Sequence, residues 1–195
     1  MDKVSARRKE NLTKSFWSAY KLFQILPTFF LIFAKNIKKV KIAIIDYKAG
    51  NIKSVEAALQ RLGCETILTK DKGIISSADK VIFPGVGNAG AAMEALKATE
   101  LDTFIPTLKQ PVLGICVGQQ LMCRHSEEGD VDCLGIFDVD VKRFTPSENK
   151  EKVPHMGWNS LTALKSDLYK NISEQQFVYF VHSFYVPVCD WTIAQ

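Results

Sequence analysis

The sequence predicts an α/β fold, a mostly parallel sheet flanked by helices with an added antiparallel β layer. Three observations carry this. From Val40 onward, short β-branched runs alternate with helical patterns. The runs are continuously apolar, as strands covered on both faces must be, and such sheets are parallel with right-handed helical crossovers. After Gly129 the pattern changes to alternating strands of a more antiparallel kind.

Lys41–Asp46 is the first strand, and Ile52–Leu62 follows as a helix closed by Gly63. Glu65–Leu68 and Lys80–Phe83 continue the sheet. Ala91–Leu96 and Leu101–Leu108 read as helical, and Val112–Ile115 is another buried strand. Val117–His125 reads as a helix, with Cys123 on about the same face as Cys116. Val139–Phe144 and Phe177–Val186 supply the added layer. No internal repeat or low-complexity linker divides residues 40–195, so they form one domain.

Charge and cysteine usage exclude several functions. The net charge of +4 is concentrated in residues 1–39, which carry nine Lys and Arg against two acids; removing that +7 leaves −3 for residues 40–195. A mildly acidic domain without a basic stripe is not a nucleic-acid binder. Cys64, Cys116, Cys123, Cys133 and Cys189 are odd in number and irregularly spaced, which fits a reducing cytoplasm rather than a disulfide framework. His125, His155 and His182 have no metal-ligand spacing, so no metal is expected.

Residues 1–39 form a basic and apolar extension. The apolar run Leu22–Ala34 contains Gln24, Pro27 and Thr28 and is shorter than the ~20 residues that cross a bilayer, and no cleavage signal follows it. The preferred reading is a start assigned too far upstream, because Val40 directly precedes the first strand. A surface-lying amphipathic helix is the alternative.

Gly114-Ile115-Cys116-Val117-Gly118 joins a buried strand to a helical pattern, the context of a nucleophile elbow with Cys in place of Ser. Glycines two positions either side let strand and helix approach closely enough to force Cys116 onto a strained, exposed turn. The following helix N-terminus is expected to favour thiolate over thiol. The pentapeptide alone equally fits a small buried cysteine between packing glycines; its placement after a strand favours catalysis. Phe83-Pro84-Gly85-Val86-Gly87 ends the preceding strand in a bare loop. N–H groups of Val86 and Gly87, with that of Val117, are candidate oxyanion-hole donors; a plain glycine turn is the alternative.

Together these motifs resemble the class I glutamine amidotransferases. Within them, Ile44-Ile45-Asp46-Tyr47-Lys48-Ala49-Gly50-Asn51, Pro154-His155-Met156-Gly157-Trp158-Asn159 and Tyr179-Phe180-Val181-His182-Ser183-Phe184-Tyr185 narrow the resemblance to the glutaminase subunit of imidazole glycerol phosphate synthase. The resemblance covers nearly all of residues 40–195. It implies a cofactor-free hydrolysis of L-glutamine to glutamate and ammonia through a Cys116 thioester. Ammonia then passes to a (β/α)8-barrel cyclase subunit that makes imidazole glycerol phosphate in histidine biosynthesis, the two forming a cytoplasmic heterodimer. Gly85, Gln120 and Glu128, with the backbone around His182, Ser183 and Phe184, are implied to bind substrate, and the loop at Val86 to respond to the partner.

The resemblance also places the general base in a His-Pro-Glu sequence downstream, which this chain lacks. The domain is therefore expected to be incomplete at its C-terminus, ending within a strand at Trp191–Gln195, with its catalytic His and Glu absent and turnover slowed ~10²-fold or more. His182 is not taken as the base. His125 and His155 read as structural or surface residues, and Glu127, Asp130 and Asp132 as a solvated acidic loop. Two rivals remain: the glutaminase of another class I amidotransferase, such as the one feeding pyridoxal phosphate synthesis, and a non-catalytic docking module.

Overall fold

The computed structural model describes residues 40–146 and 152–195, so the expected extension over residues 1–39 lies outside the described residues. Among these residues ten strands and five helices run β1 (Lys41–Ile45), α1 (Ile52–Arg61), β2 (Glu65–Thr69), α2 (Lys72–Ser77), β3 (Lys80–Gly85), α3 (Ala89–Ala98), α4 (Leu101–Phe104), β4 (Val112–Cys116), α5 (Val117–Gln120), β5 (Cys123–Ser126), β6 (Val131–Asp132), β7 (Phe137–Arg143), β8 (His155–Ser160), β9 (Phe177–His182) and β10 (Phe184–Tyr185). Short 3-10 turns at Ile105–Thr107 and Asp167–Tyr169 complete the described elements.

The main sheet has order β2-β1-β3-β4 and is parallel throughout. Its strands are continuously apolar because both faces are covered. Ile42, Ile44 and Ile82 pack on Val55, Ala58 and Leu59 of α1. Ala43, Ile45, Val81 and Phe83 pack on the opposite side with Ile75 of α2, Met93 and Leu96 of α3 and Leu101 of α4. Burying each such aliphatic side chain contributes roughly 1.5–3 kcal/mol, so β1 and β3 are held by their side chains as much as by their ladder. Asn51, Asp71 and Asn88 cap α1, α2 and α3 by accepting from Ser54, Ile74 and Ala91 N–H groups.

The added layer differs in part from expectation. A second sheet, β10-β7-β5-β6, is mixed, because β5 and β7 run parallel while its other pairs are antiparallel. The expected helix Val117–His125 stops after one turn. Its second half becomes β5, whose backbone is claimed by β6 and β7, so Cys123 is a fully buried strand residue and not a helix-face neighbour of Cys116. β8 and β9 form a separate antiparallel pair. Trp191–Gln195 is not a strand; Thr162 and Gln195 exchange N–H···O bonds of 2.7 and 2.9 Å.

The contact that sets the site lies where α5 meets β3. A Cβ on Gly118 would stand 1.9 Å from the Phe83 carbonyl oxygen, and one on Gly85 would stand 2.3 Å from the Gly118 nitrogen. Both obstacles are backbone and cannot rotate away. Gly118→Ala is therefore expected to cost at least about 3 kcal/mol in urea unfolding. Gly63→Ala, which meets no atom but must hold φ +71°, is expected to cost about 1–2 kcal/mol. Equal, small losses for the two variants would contradict this packing.

Candidate active site

β4 delivers the chain to Cys116 in register with Gly85 of β3. There the backbone turns sharply: Cys116 has φ 54° and ψ −118°, a conformation that costs a non-glycine residue about 1–3 kcal/mol. The close approach at Gly118 forces the turn, since α5 must start against β3 with no side chain between them. Gly114 is needed for the same reason on the strand side, where a Cβ would lie 2.6 Å from the Gln119 Cα. Cys116 is exposed, whereas Cys64 and Cys123 are buried and Cys133 and Cys189 half-buried.

The electrostatics correct one expectation. Although the residue is exposed, the protein around its thiol pushes the pKa up; the Val117 N–H lowers it, and the negative charge of Glu128 raises it further. Desolvation leads and the donor does not overcome it. A one-turn helix supplies an N–H but not the dipole of a long one. The Cys116 sulfur is thus biased toward thiol.

The loop after β3 has two parts. Pro84 and Gly85 are buried, and Gly85 sits under the Cys116 turn. Val86 is exposed, and Gly87 adopts φ +89° with open space where a side chain would be. Asn88 then caps α3. Glu128 is tied to this loop: its Oε2 accepts from the Ala89 N–H at 3.0 Å, while its own N–H donates to Ser126 Oγ at 3.1 Å. Burial raises the Glu128 pKa, and the Ala89 N–H opposes the rise.

Gln120 is buried and its Nε2 donates to the Phe184 carbonyl at 3.1 Å. The same carbonyl lies 2.8 Å from His182 Nδ1, which must therefore carry the proton. Ser183 lies between β9 and β10, and its carbonyl accepts from the Phe144 N–H at 3.0 Å. His155 pairs with His182 across β8 and β9 and bonds Asn159 Oδ1 through Nε2 at 2.8 Å. His125 faces Asp130 and Asp132 at 3.2 and 2.9 Å. Among the described residues, no cluster of three His, Cys, Asp or Glu is placed to hold a metal.

Two residues of this neighbourhood were not singled out from the sequence. Asn88 had a readable signal, a cap residue directly before an apolar run. Tyr47 had none beyond its place in the opening motif, yet it is buried and donates to the Pro84 carbonyl at 2.7 Å.

A one-turn helix entered through a strained cysteine, at the end of a parallel strand and beside a glycine loop, is the arrangement of a class I glutamine amidotransferase. The model of that family, glutamine amidotransferase class-I, matches residues 43–192. A solved glutamine amidotransferase shares the fold at a TM-score of 0.61 and 14% identity, over 79% of each chain. The chain is 64% identical over 156 residues to the imidazole glycerol phosphate synthase subunit HisH of Bacteroides thetaiotaomicron, covering 80% of both chains. It is 41% identical over 162 residues to HisH of Vibrio parahaemolyticus, covering 80% of this chain and 78% of that one. The chain belongs to the HisH family of class I glutamine amidotransferases.

The pH dependence of Cys116 alkylation by iodoacetamide should reveal the bias toward thiol. Its midpoint should lie above the ~8.5 of an ordinary cysteine, and Glu128→Gln, which removes a negative charge, should move it down. A midpoint that is unmoved or higher in Glu128→Gln would show that the carboxylate does not act on the sulfur.

Proposed function

We propose that Cys116 attacks the side-chain amide carbon of L-glutamine, expels ammonia to leave a glutamyl thioester, and is freed when water releases glutamate. Membership of the family makes the protein a glutaminase subunit acting in histidine biosynthesis, in complex with a partner subunit. The observation that carries the residue assignment is Cys116 itself, the one exposed thiol among the described cysteines, held at positive φ opposite Gly85.

Val117 N–H, with N–H groups of Val86 and Gly87, is the proposed oxyanion hole. Gly85, Gln120 and Glu128 and the backbone of His182, Ser183 and Phe184 are the proposed glutamine site. A Glu128 carboxylate suits an α-ammonium group, and the Phe184 carbonyl already organises Gln120 and His182. The proposed partner is a (β/α)8-barrel cyclase that receives the ammonia in a heterodimer. A subunit contact is supported by the apolar face of the β8–β9 pair, where register places exposed Met156 beside Val181, and Ser160 beside exposed Phe177. The amidotransferase domain is proposed to span residues 40–195. A cytoplasmic location is supported by the free cysteines; among the described residues, no helix is long and apolar enough to cross a membrane.

The exposed Met156, Phe177 and Val181 on one face of the β8–β9 pair also suit a second reading, a chain that docks on its partner without turning over glutamine.

Ammonia release from glutamine, measured with and without the cyclase subunit, tests both readings. An active chain should be stimulated by the partner and lose about 10³-fold or more of its rate in Cys116→Ala. Tight partner binding with no ammonia release would favour the docking reading. Activity retained by Cys116→Ala would remove the proposed chemistry.

A further inference from the structure

The loop that follows β1 packs on the proposed oxyanion loop through a side chain to which the reaction scheme gives no role. Tyr47 is 2% exposed, and its hydroxyl donates to the Pro84 carbonyl at 2.7 Å in a buried bond. The position of this bond matters. The β1–β3 ladder ends at Ile44 and Ile82, so Pro84 lies beyond the reach of β1 backbone donors. A buried carbonyl left there without a partner would be costly, and the phenol supplies the donor in place of the strand.

The peptide that Tyr47 holds is also the one beneath the nucleophile. A Cβ on Gly85 would meet the Tyr47 hydroxyl at 2.9 Å as well as the Gly118 nitrogen at 2.3 Å and the Val117 carbonyl carbon at 2.9 Å. The phenol and the turn that presents Cys116 therefore meet on the side of Gly85 where a Cβ would stand. Because the peptide is planar, fixing the Pro84 carbonyl also fixes the direction of the Gly85 N–H and the departure of the chain toward Val86 and Gly87. A Cβ on Gly50 would stand 3.1 Å from Pro84 Cβ, so the loop after β1 meets the proline at both Tyr47 and Gly50. Tyr47 also packs its ring on Phe83, 5.5 Å between centroids, which leaves the hydroxyl little freedom to leave the bond. Burial, and secondarily the charge of Cys116, raise the Tyr47 pKa, so the hydroxyl stays a protonated donor within electrostatic reach of the sulfur.

We infer that Tyr47 is a positioning residue for the oxyanion loop: its buried hydroxyl holds the Pro84 carbonyl and so fixes the Pro84–Gly85 peptide against the Cys116 turn. The inference rests on the reading of Cys116 as nucleophile. Tyr47 touches neither substrate nor sulfur in this scheme. It acts through the loop, so its removal should affect reactions that develop negative charge on oxygen and spare those that do not.

Two alkylating reagents make that distinction on the full chain without needing turnover. A chloromethyl ketone built on the carbon skeleton of glutamine passes through a tetrahedral oxyanion as the sulfur adds, and ends as a thioether with chloride released. Iodoacetamide is displaced directly at carbon and forms no oxyanion. In Tyr47→Phe, the ketone should label Cys116 about tenfold more slowly, a fraction of the loss expected when an oxyanion donor itself is removed, while iodoacetamide labelling stays within about twofold of the parent. Placing 4-aminophenylalanine at position 47, which keeps a ring donor, should restore the ketone rate; it also serves as the comparison should Tyr47→Phe not fold. Equal changes with both reagents, or none with the ketone, would overturn the positioning role. A parent chain whose Cys116 reacts with iodoacetamide but never with the ketone would instead overturn the nucleophile reading, and this inference with it.

Discussion

Backbone meets backbone where α5 starts against β3, with no side chain between Gly118 and the Phe83 carbonyl, or between Gly85 and the Gly118 nitrogen. That spacing has a single-residue consequence. The chain must reverse between Ile115 and Val117 in less room than ordinary dihedrals allow, and Cys116 absorbs the difference by taking a positive φ. The strain is offset by the sheet around it, whose central strands are buried on both faces. The rigidity of β1 and β3 is thus what keeps a cysteine in a conformation it would otherwise leave.

The surroundings of that cysteine pull in opposite directions. The Val117 N–H favours a charged sulfur, while burial and the Glu128 carboxylate disfavour it. A site that rests as thiol is protected from adventitious alkylation and oxidation, because the reactive species is the anion. On the proposed function, an α-ammonium group paired with Glu128 would neutralise the carboxylate that raises the thiol pKa, linking glutamine binding to ionisation of Cys116.

Much of this was legible in the sequence, for identifiable reasons. Ile42 to Ile45 could be read as a strand covered on both faces because a run of consecutive apolar residues has no other use in so short an element. Gly114 and Gly118 showed where two elements approach each other, since glycine at both positions removes the only atoms in the way. α2 escaped notice because Lys72–Ser77 carries Gly73 and two serines, weak helix formers; it is held by the Asp71 cap and the burial of Ile75, which only the fold supplies. β5 was read as helix for the same reason in reverse. Gln119 to Met122 favour a helix locally, and the strand after them exists only through partners much later in the chain. The protonation bias of Cys116 was hidden too, because a sequence shows the helix start and not what surrounds the sulfur.

The Phe184 carbonyl receives Gln120 Nε2 and His182 Nδ1 together. Gln120 belongs to the turn built on the parallel sheet, His182 to the β8–β9 pair, and Phe184 to the mixed sheet. One oxygen, with both lone pairs engaged, is therefore a joint at which three separately hydrogen-bonded layers are pinned. Displacing the mixed sheet would leave both donors without their acceptor, and displacing either other layer would withdraw one donor, so this oxygen couples the three layers.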